Sequence, residues 1–155
     1  MTTRQGIDPR GSRFSAGITA VLLLVVIGLG LSNLIVASTA LFSAIFAIFA
    51  WGAVAGVQRH PYGLLFKKVV RPRLAPPTEL EDPTPPTFAQ GVGFIITGLG
   101  LALQLLGVPF AVVIAASAAF IAAFLNSVFA YCLGCQIYLL LVRAGILGRK
   151  GATAE

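Results

Sequence analysis

Long apolar tracts separated by one polar segment dominate the chain and predict membrane-spanning helices. Residues 14–58 and residues 88–142 carry no charge. About 20 apolar residues suffice to cross a bilayer, so each tract is long enough for two spans. Polar residues break the first tract near Ser32 and Asn33 or near residues 37–39, and the Gly-Val-Pro turn at residues 107–109 breaks the second. We predict four transmembrane helices, at about residues 16–36, 40–57, 88–106 and 110–131.

A polar connector, residues 59–87, lies between the two tracts. Its first half mixes basic and apolar residues, which suits an interfacial segment with Lys67, Lys68 and Arg71 facing headgroups or solvent. Its second half, APPTELEDPTPP, is rich in proline and predicts an extended strap. The chain is therefore predicted to be a single all-α membrane domain of two helical hairpins, preceded by a short tail, residues 1–13, at the membrane surface.

The basic residues predict the orientation of the hairpins. All 11 lysines and arginines precede the first span, lie in the connector or follow the fourth span, whereas the two short turns carry no charge. Positive charge accumulates on the cytoplasmic side of membrane proteins. We therefore expect both termini and the connector to be cytoplasmic, in a multi-pass protein of the inner (plasma) membrane.

A weak internal repeat supports the two-hairpin layout. The first hairpin opens with FSAG at residues 14–17 and the second with FAQG at residues 88–91. Each hairpin leads into a Tyr-x-Leu-Leu-apolar-basic segment, which begins at Tyr62 or at Tyr138. Parallel repeats of this kind are related by an axis along the membrane normal.

Composition agrees with a membrane protein and argues against several other classes. Hydrophobic residues make up 57% and charged residues 10% of the 155 residues, whereas about a quarter of a soluble protein is charged. The net charge of +6 does not indicate nucleic-acid binding, because the basic residues flank apolar tracts. No charge falls inside a predicted span, which argues against a proton-driven pump. A single histidine cannot supply a pair of haem ligands, and no cofactor is predicted.

The two cysteines, Cys132 and Cys135, are the main candidates for chemistry. They are spaced as Cys-Leu-Gly-Cys at the predicted cytoplasmic edge of the fourth span, and i, i+3 spacing places them on one helical face. Gly134 makes a bend or a helix start easier, and a helix beginning after Cys132 would favour its thiolate form. The pair would then cycle between dithiol and disulfide or carry a sulfane sulfur. The alternative is two inert buried cysteines.

His60, a metal site and a glycine pattern have weaker support. His60 precedes Pro61 at the depth predicted for the cysteines, where it is a weak candidate for tuning or deprotonating a thiol; a plain interfacial histidine is the simpler interpretation. Two sulfurs form only half of a tetrahedral metal site, which a homo-oligomer would have to complete, so no metal is predicted. The pattern Gly52-Ala-Val-Ala-Gly56 lets helices approach closely.

Three stretches carry a resemblance to a known family. They are IDPRGSRFSAGIT at residues 7–19, HPYGLLFKKVVRPRLAPPTELEDPTPPTFAQGVG at residues 60–93 and FAYCLGCQIYLLLVRAG at residues 129–145. The chain resembles the uncharacterised bacterial membrane proteins called domain of unknown function 4395. The resemblance implies a four-helix integral membrane protein in which Cys-x-Gly-Cys near the C-terminus is typical. It also implies genes near those of rhodanese-like sulfurtransferases or thioredoxin-like proteins.

These observations leave three function hypotheses. The first is a thiol or sulfur relay at the cytoplasmic face, in which Cys132 and Cys135 react with a soluble thioredoxin-like or rhodanese-like partner. The second is a small transporter of a sulfur compound with the thiols at its inner mouth. The third is a structural membrane subunit without chemistry. The sequence therefore does not decide whether the protein is an enzyme.

Overall fold

The computed structural model describes residues 6–147, and this part of the chain contains six α-helices. They are α1 (Pro9–Leu31), α2 (Ile35–Ala55), α3 (Pro61–Leu65), α4 (Thr84–Leu105), α5 (Ala111–Phe129) and α6 (Leu133–Arg143). α3 continues through a π-helical turn, Phe66–Val70, and a 3-10 turn, Arg71–Arg73. The helices α1, α2, α4 and α5 are long and apolar enough to cross a membrane. The prediction of an all-α chain with four such helices is confirmed.

The packing of the helices repeats between the two halves of the chain. α1 packs mainly on α5 and α4 mainly on α2, while each also packs on the second helix of its own hairpin. The short helices repeat this pattern, since each packs on the first helix of the preceding hairpin: α3 packs on α1 and α6 packs on α4. Phe14 and Phe88 each contact one ring, with centroid distances of 5.7 Å to Phe66 and 5.5 Å to Tyr138, although the repeat aligns Tyr138 with Tyr62 and not with Phe66. The fold therefore agrees with the weak sequence repeat.

The half of the bundle next to the two short turns is tightly packed. Its core cluster consists of seven buried residues, namely Leu23, Val26, Phe42, Ile45, Val112, Ala116 and Ala119. The first turn lies at Ser32 and Asn33, and Asn33 has a φ of 60°. The alternative break at residues 37–39 is wrong, because these residues belong to α2 and the Ser38 hydroxyl donates to the Val26 carbonyl at 2.9 Å.

Three of the long helices begin earlier than predicted, namely α1, α2 and α4, and prolines occupy the first turns of α1 and α4. The Asp8 carboxylate accepts the backbone N–H of Arg10 at 3.0 Å and caps α1, which begins with Pro9. Residues 9–13 are therefore helical and not a tail, whereas residues 1–5 lie outside the described part. α4 begins at Thr84, inside the predicted strap, and Pro85 and Pro86 follow in its first turn. Proline is tolerated there because these N–H groups have no partner within the helix.

The remainder of the strap is extended and fastens the start of α1. Ile7 and Glu81 exchange two backbone hydrogen bonds of 2.9 Å, and the Arg10 guanidinium donates to the Ala75 carbonyl at 2.9 Å. The start of α1 and the connector thus lie at the same end of the bundle, which we call the basic end. The described lysines and arginines all belong to segments at this end: Arg10, Arg13, Arg59, Lys67, Lys68, Arg71, Arg73 and Arg143.

The fourth long helix does not continue into the C-terminal segment. Ala130, with a φ of 55°, ends α5, and α6 begins only after Cys132. Of the two alternatives for the segment after Gly134, continuation of the fourth helix is wrong, because this segment belongs to a separate helix that packs on α4. Leu140 and Ile146 on this segment are 61% and 70% exposed, as expected for an interfacial helix.

Candidate functional site

A cavity of about 270 Å³ lies in the half of the bundle next to the basic end. α1, α4 and α5 form its walls, and α3 and α6 complete it toward the basic end. Its wall residues are mostly small, and they include Gly11, Ala16, Ala89, Gly93, Ala122 and Ala123. The helices remain apart where these side chains are too short to fill the space between them. The core cluster closes the bundle beyond the cavity.

Charged and neutral polar groups occupy different parts of the cavity lining. Asp8, Lys67 and Arg71 contribute its charged side chains within the described residues, and all three belong to segments at the basic end. Gln90 and Asn126 line the cavity from inside the long helices. The polar amide of Asn126 thus faces the bundle interior, as expected for a membrane helix. A ligand entering from the basic end would pass charges first and neutral hydrogen-bonding groups afterwards.

The cysteines form a disulfide at the start of α6. Cys132 and Cys135 are bonded, with their Cα atoms 5.2 Å apart. Cys132 is the N-cap of α6, and its Sγ accepts the backbone N–H of Cys135 at 3.2 Å. The expectation that both lie on one helical face is wrong, because Cys132 precedes the helix. Cys132 lines the cavity together with Leu133 and Gly134.

Gly134 allows α6 to lie directly against α4. A Cβ added at this position would lie 2.6 Å from Ala89 Cα, far inside the ordinary contact distance between carbon atoms. Gly134 is helical rather than part of a bend. Its contribution is therefore a close approach that holds the disulfide beside the cavity.

His60 lies inside the bundle and not on its surface. It is only 3% exposed, and its Nδ1 accepts the backbone N–H of Tyr62 at 3.3 Å, which caps α3. Burial lowers the pKa of His60 below its ordinary value, which favours a neutral ring. Because Nδ1 is an acceptor, the proton of the neutral ring resides on Nε2. His60 lines the same cavity as Cys132, although no hydrogen bond joins the two in the described part of the chain.

Gln90 is a site residue that sequence reasoning missed. A Cβ added at Gly52 would lie 2.8 Å from Gln90 Oε1 and 2.8 Å from His60 Cδ2, so Gly52 lets these two side chains come together. Gln90 Oε1 is buried without a hydrogen-bond partner among the described residues. The sequence did contain one signal for this role, namely a polar amide next to Gly91 within an uncharged span. The predicted packing pattern holds for Gly52, whereas Gly56 ends α2 with a φ of 83°.

Two arginines fix the start of α1 around the cavity mouth. Arg10 pairs with Asp8 at 2.8 Å, and its hydrogen bonds hold the pKa of that carboxyl below its usual value. Arg13 donates to the Ser127 carbonyl at 3.2 and 3.3 Å. This carbonyl lies in the last turn of α5, where a cation also interacts favourably with the helix dipole. Arg13 thereby joins the start of α1 to the end of α5, and both helices line the cavity.

The described residues contain no group of three or more His, Cys, Asp or Glu side chains able to hold a metal ion. One disulfide, one imidazole whose burial favours the neutral form and one unpartnered amide oxygen belong to residues that line a shared cavity within residues 6–147.

Comparison with known proteins gives one match. A family model with the description Domain of unknown function (DUF4395) matches residues 7–143. No curated protein and no solved structure matches the chain.

Proposed function

The chain belongs to the family described as Domain of unknown function (DUF4395), and we propose that it acts as a thiol relay in the inner membrane. The Cys132–Cys135 pair would alternate between disulfide and dithiol and exchange electrons or sulfur with a soluble protein. The position of Cys132 as the N-cap of a helix carries this proposal. Thiolates at helix N-termini are stabilised by the helix dipole and by free N–H groups, and the thiolate is the reactive form.

The two sulfurs would have different roles, because Cys132 is the N-cap of α6 and lines the cavity. In the reduced pair, the Cys132 thiolate attacks a disulfide sulfur of the partner and forms a mixed disulfide, while the partner's other sulfur leaves as a thiolate. Cys135 then attacks Cys132 Sγ and releases the reduced partner. One disulfide has formed and one has broken, and two electrons have passed to the partner. The reverse sequence reduces the Cys132–Cys135 disulfide.

The proposed partner is a cytoplasmic thioredoxin-like or rhodanese-like protein. The grouping of basic residues at one end supports a cytoplasmic location for that end and for both termini. The connector segment with Lys67, Lys68 and Arg71 would dock an acidic partner surface or anionic lipid. The disulfide lies at the same end as this connector, so one bound partner would reach both.

A transporter of a sulfur compound is the second candidate, and the cavity is the observation that favours it. The cavity reaches into the bundle from the basic end, as an inward-facing binding site would. Transport would require a second conformation that opens the core cluster. Uptake of labelled thiosulfate into proteoliposomes separates the two candidates, since a relay takes up none. A structural subunit without chemistry would instead tolerate loss of both cysteines and fail with Gly52→Leu.

Trapping of the mixed disulfide tests the relay. In Cys135→Ser, Cys132 can still attack, but the intermediate cannot resolve. We expect this variant to accumulate a disulfide-linked thioredoxin-like or rhodanese-like protein, identified by mass spectrometry. Cys132→Ser is the matched control and should trap at least tenfold less, because Cys135 lacks the N-cap position. The relay is wrong if both variants complement a deletion and trap nothing.

A further inference from the structure

We propose that the cavity binds the ring of a membrane quinone, which reoxidises the Cys132–Cys135 dithiol. This inference rests on the proposed relay and supplies its electron acceptor. A soluble dithiol would reduce the disulfide at the basic end, and the quinone would take the electrons within the bundle. The protein would thus connect cytoplasmic thiols to the quinone pool of the membrane.

The size and lining of the cavity suit such a ring. A cavity of roughly 150 Å³ accommodates benzene, so about 270 Å³ leaves room for a substituted ring and the start of its tail. The lining includes the small apolar residues Ala122 and Ala123 and the ring of Phe49, which packs against Gly93. The charged lining residues lie at the basic end, so a neutral ligand meets no unpaired charge deeper in the site. An anionic sulfur compound would find its cations only at the mouth.

The two neutral polar groups at Gly52 match both oxidation states of a quinone. The neutral His60 ring has one N–H, at Nε2, and a quinone carbonyl accepts such a hydrogen bond. Gln90 lines the cavity, and its Oε1 is a buried acceptor without a partner that lies against Gly52. A rotation of the Gln90 side chain would turn this oxygen toward the ligand, where a hydroquinone hydroxyl would donate to it. An acyl chain would leave both groups unsatisfied at a cost in free energy. The donor and the acceptor therefore favour a ligand that carries oxygen on an apolar ring.

The redox step balances without a further reagent. The Cys132–Cys135 dithiol gives two electrons and two protons to the quinone, which becomes a hydroquinone. Two S–H bonds break, one S–S bond forms, and each quinone oxygen gains a hydrogen. Cys132 is the sulfur in the cavity lining, so it is the sulfur placed to react with the ring.

The experiment uses the purified full-length protein under anaerobic conditions. A thioredoxin first reduces the disulfide, excess reductant is removed, and decylubiquinone is added. We expect stoichiometric formation of hydroquinone, followed by absorbance, together with loss of two alkylatable thiols per chain, followed by mass spectrometry. The oxidised wild-type protein should also show a higher midpoint of thermal unfolding with decylubiquinone, whereas oleate at the same concentration should give no comparable shift.

Three variants test whether the reaction takes place in the cavity. Ala122→Phe fills it and should slow quinone-dependent oxidation at least tenfold. Ile121→Phe adds an aromatic ring to the adjacent position, which is 56% exposed on the outside of the bundle, and should react like the wild type. Gln90→Leu removes the unpartnered oxygen, so it should fold at least as stably as the wild type while its KM for decylubiquinone rises about tenfold.

The outcomes separate this inference from the relay on which it rests. If thioredoxin reduces the disulfide but decylubiquinone does not restore it, the quinone site is wrong and the relay stands. If thioredoxin cannot reduce the disulfide, the relay itself fails. Equal quinone rates in Ala122→Phe and Ile121→Phe would place the reaction outside the cavity and overturn the inference, as would equal stabilisation by oleate.

Discussion

Replacement of Gly134 by alanine tests whether the contact between α6 and α4 holds the disulfide beside the cavity. The new Cβ would lie 2.6 Å from Ala89 Cα, and carbon atoms normally approach to about 3.5 Å. α6 must therefore move about 1 Å away from α4, because the atom it meets belongs to the backbone. Overpacking of this kind costs about 1–3 kcal/mol, and the higher helix propensity of alanine returns up to about 1 kcal/mol.

We therefore expect Gly134→Ala to lower the free energy of unfolding by about 1–2 kcal/mol, measured by denaturation in detergent micelles. The rate at which a soluble dithiol reduces the disulfide should also change, because Cys132 moves with α6. Gly91→Ala is the matched control, since a Cβ at Gly91 meets nothing within 4 Å. This variant should be unchanged or stabilised by up to about 1 kcal/mol.

A second substitution sharpens the test. Ala89→Gly removes the Cβ that also obstructs the new methyl group, but Ala89 Cα remains in place. The double variant should therefore recover only part of the lost stability. If Gly134→Ala is as stable as Gly91→Ala and reacts at the wild-type rate, the close contact between α6 and α4 does not exist and the proposed placement of the disulfide is wrong.

Two further predictions concern acid stability and sidedness. Burial lowers the pKa of His60 in the folded state, so its contribution to stability is complete above the unfolded value of 6.5 and is lost as the pH falls below it. His60→Asn keeps a capping acceptor for the Tyr62 N–H. In this variant the free energy of unfolding should depend less on pH between 6.5 and the lower folded-state pKa of His60. A slope against pH equal to that of the wild type would contradict this. In a chain whose cysteines are both serine, impermeant maleimide applied to intact cells should label Val108→Cys and spare Lys68→Cys. The opposite pattern would reverse the proposed orientation.

The sequence predicted the helices well because hydropathy and charge are local properties. Two uncharged tracts divided by short turns define four spans without any knowledge of how the helices pack. The errors at the helix starts arose where local signals were assigned to turns. Asp8 followed by Pro9 is also a helix N-cap followed by proline at the first position, and Pro85 and Pro86 fit the first turn of a helix as well as an extended strap.

The site was only half predictable, for a physical reason. The spacing of the two cysteines could be stated in advance. It could also be stated that a helix starting after Cys132 would favour its thiolate form, since both points follow from adjacent residues. The cavity and the role of Gln90 could not, because they depend on which faces of α1, α4 and α5 meet and on where small residues keep them apart. Gly134 was given a local role, whereas its effect depends on Ala89, which is distant in sequence.

The difference between the two halves of the repeat bears on the choice among functions. Both halves end in a short helix capped by a side chain, with a histidine at the start of α3 and a cysteine at the start of α6. A purely structural repeat needs only a capping acceptor at each position, and serine or aspartate is a stronger cap than either residue. Instead the chain has a titratable imidazole and a disulfide sulfur at these two positions, and both residues line the same cavity. This pairing favours chemistry inside the bundle over a role in assembly alone.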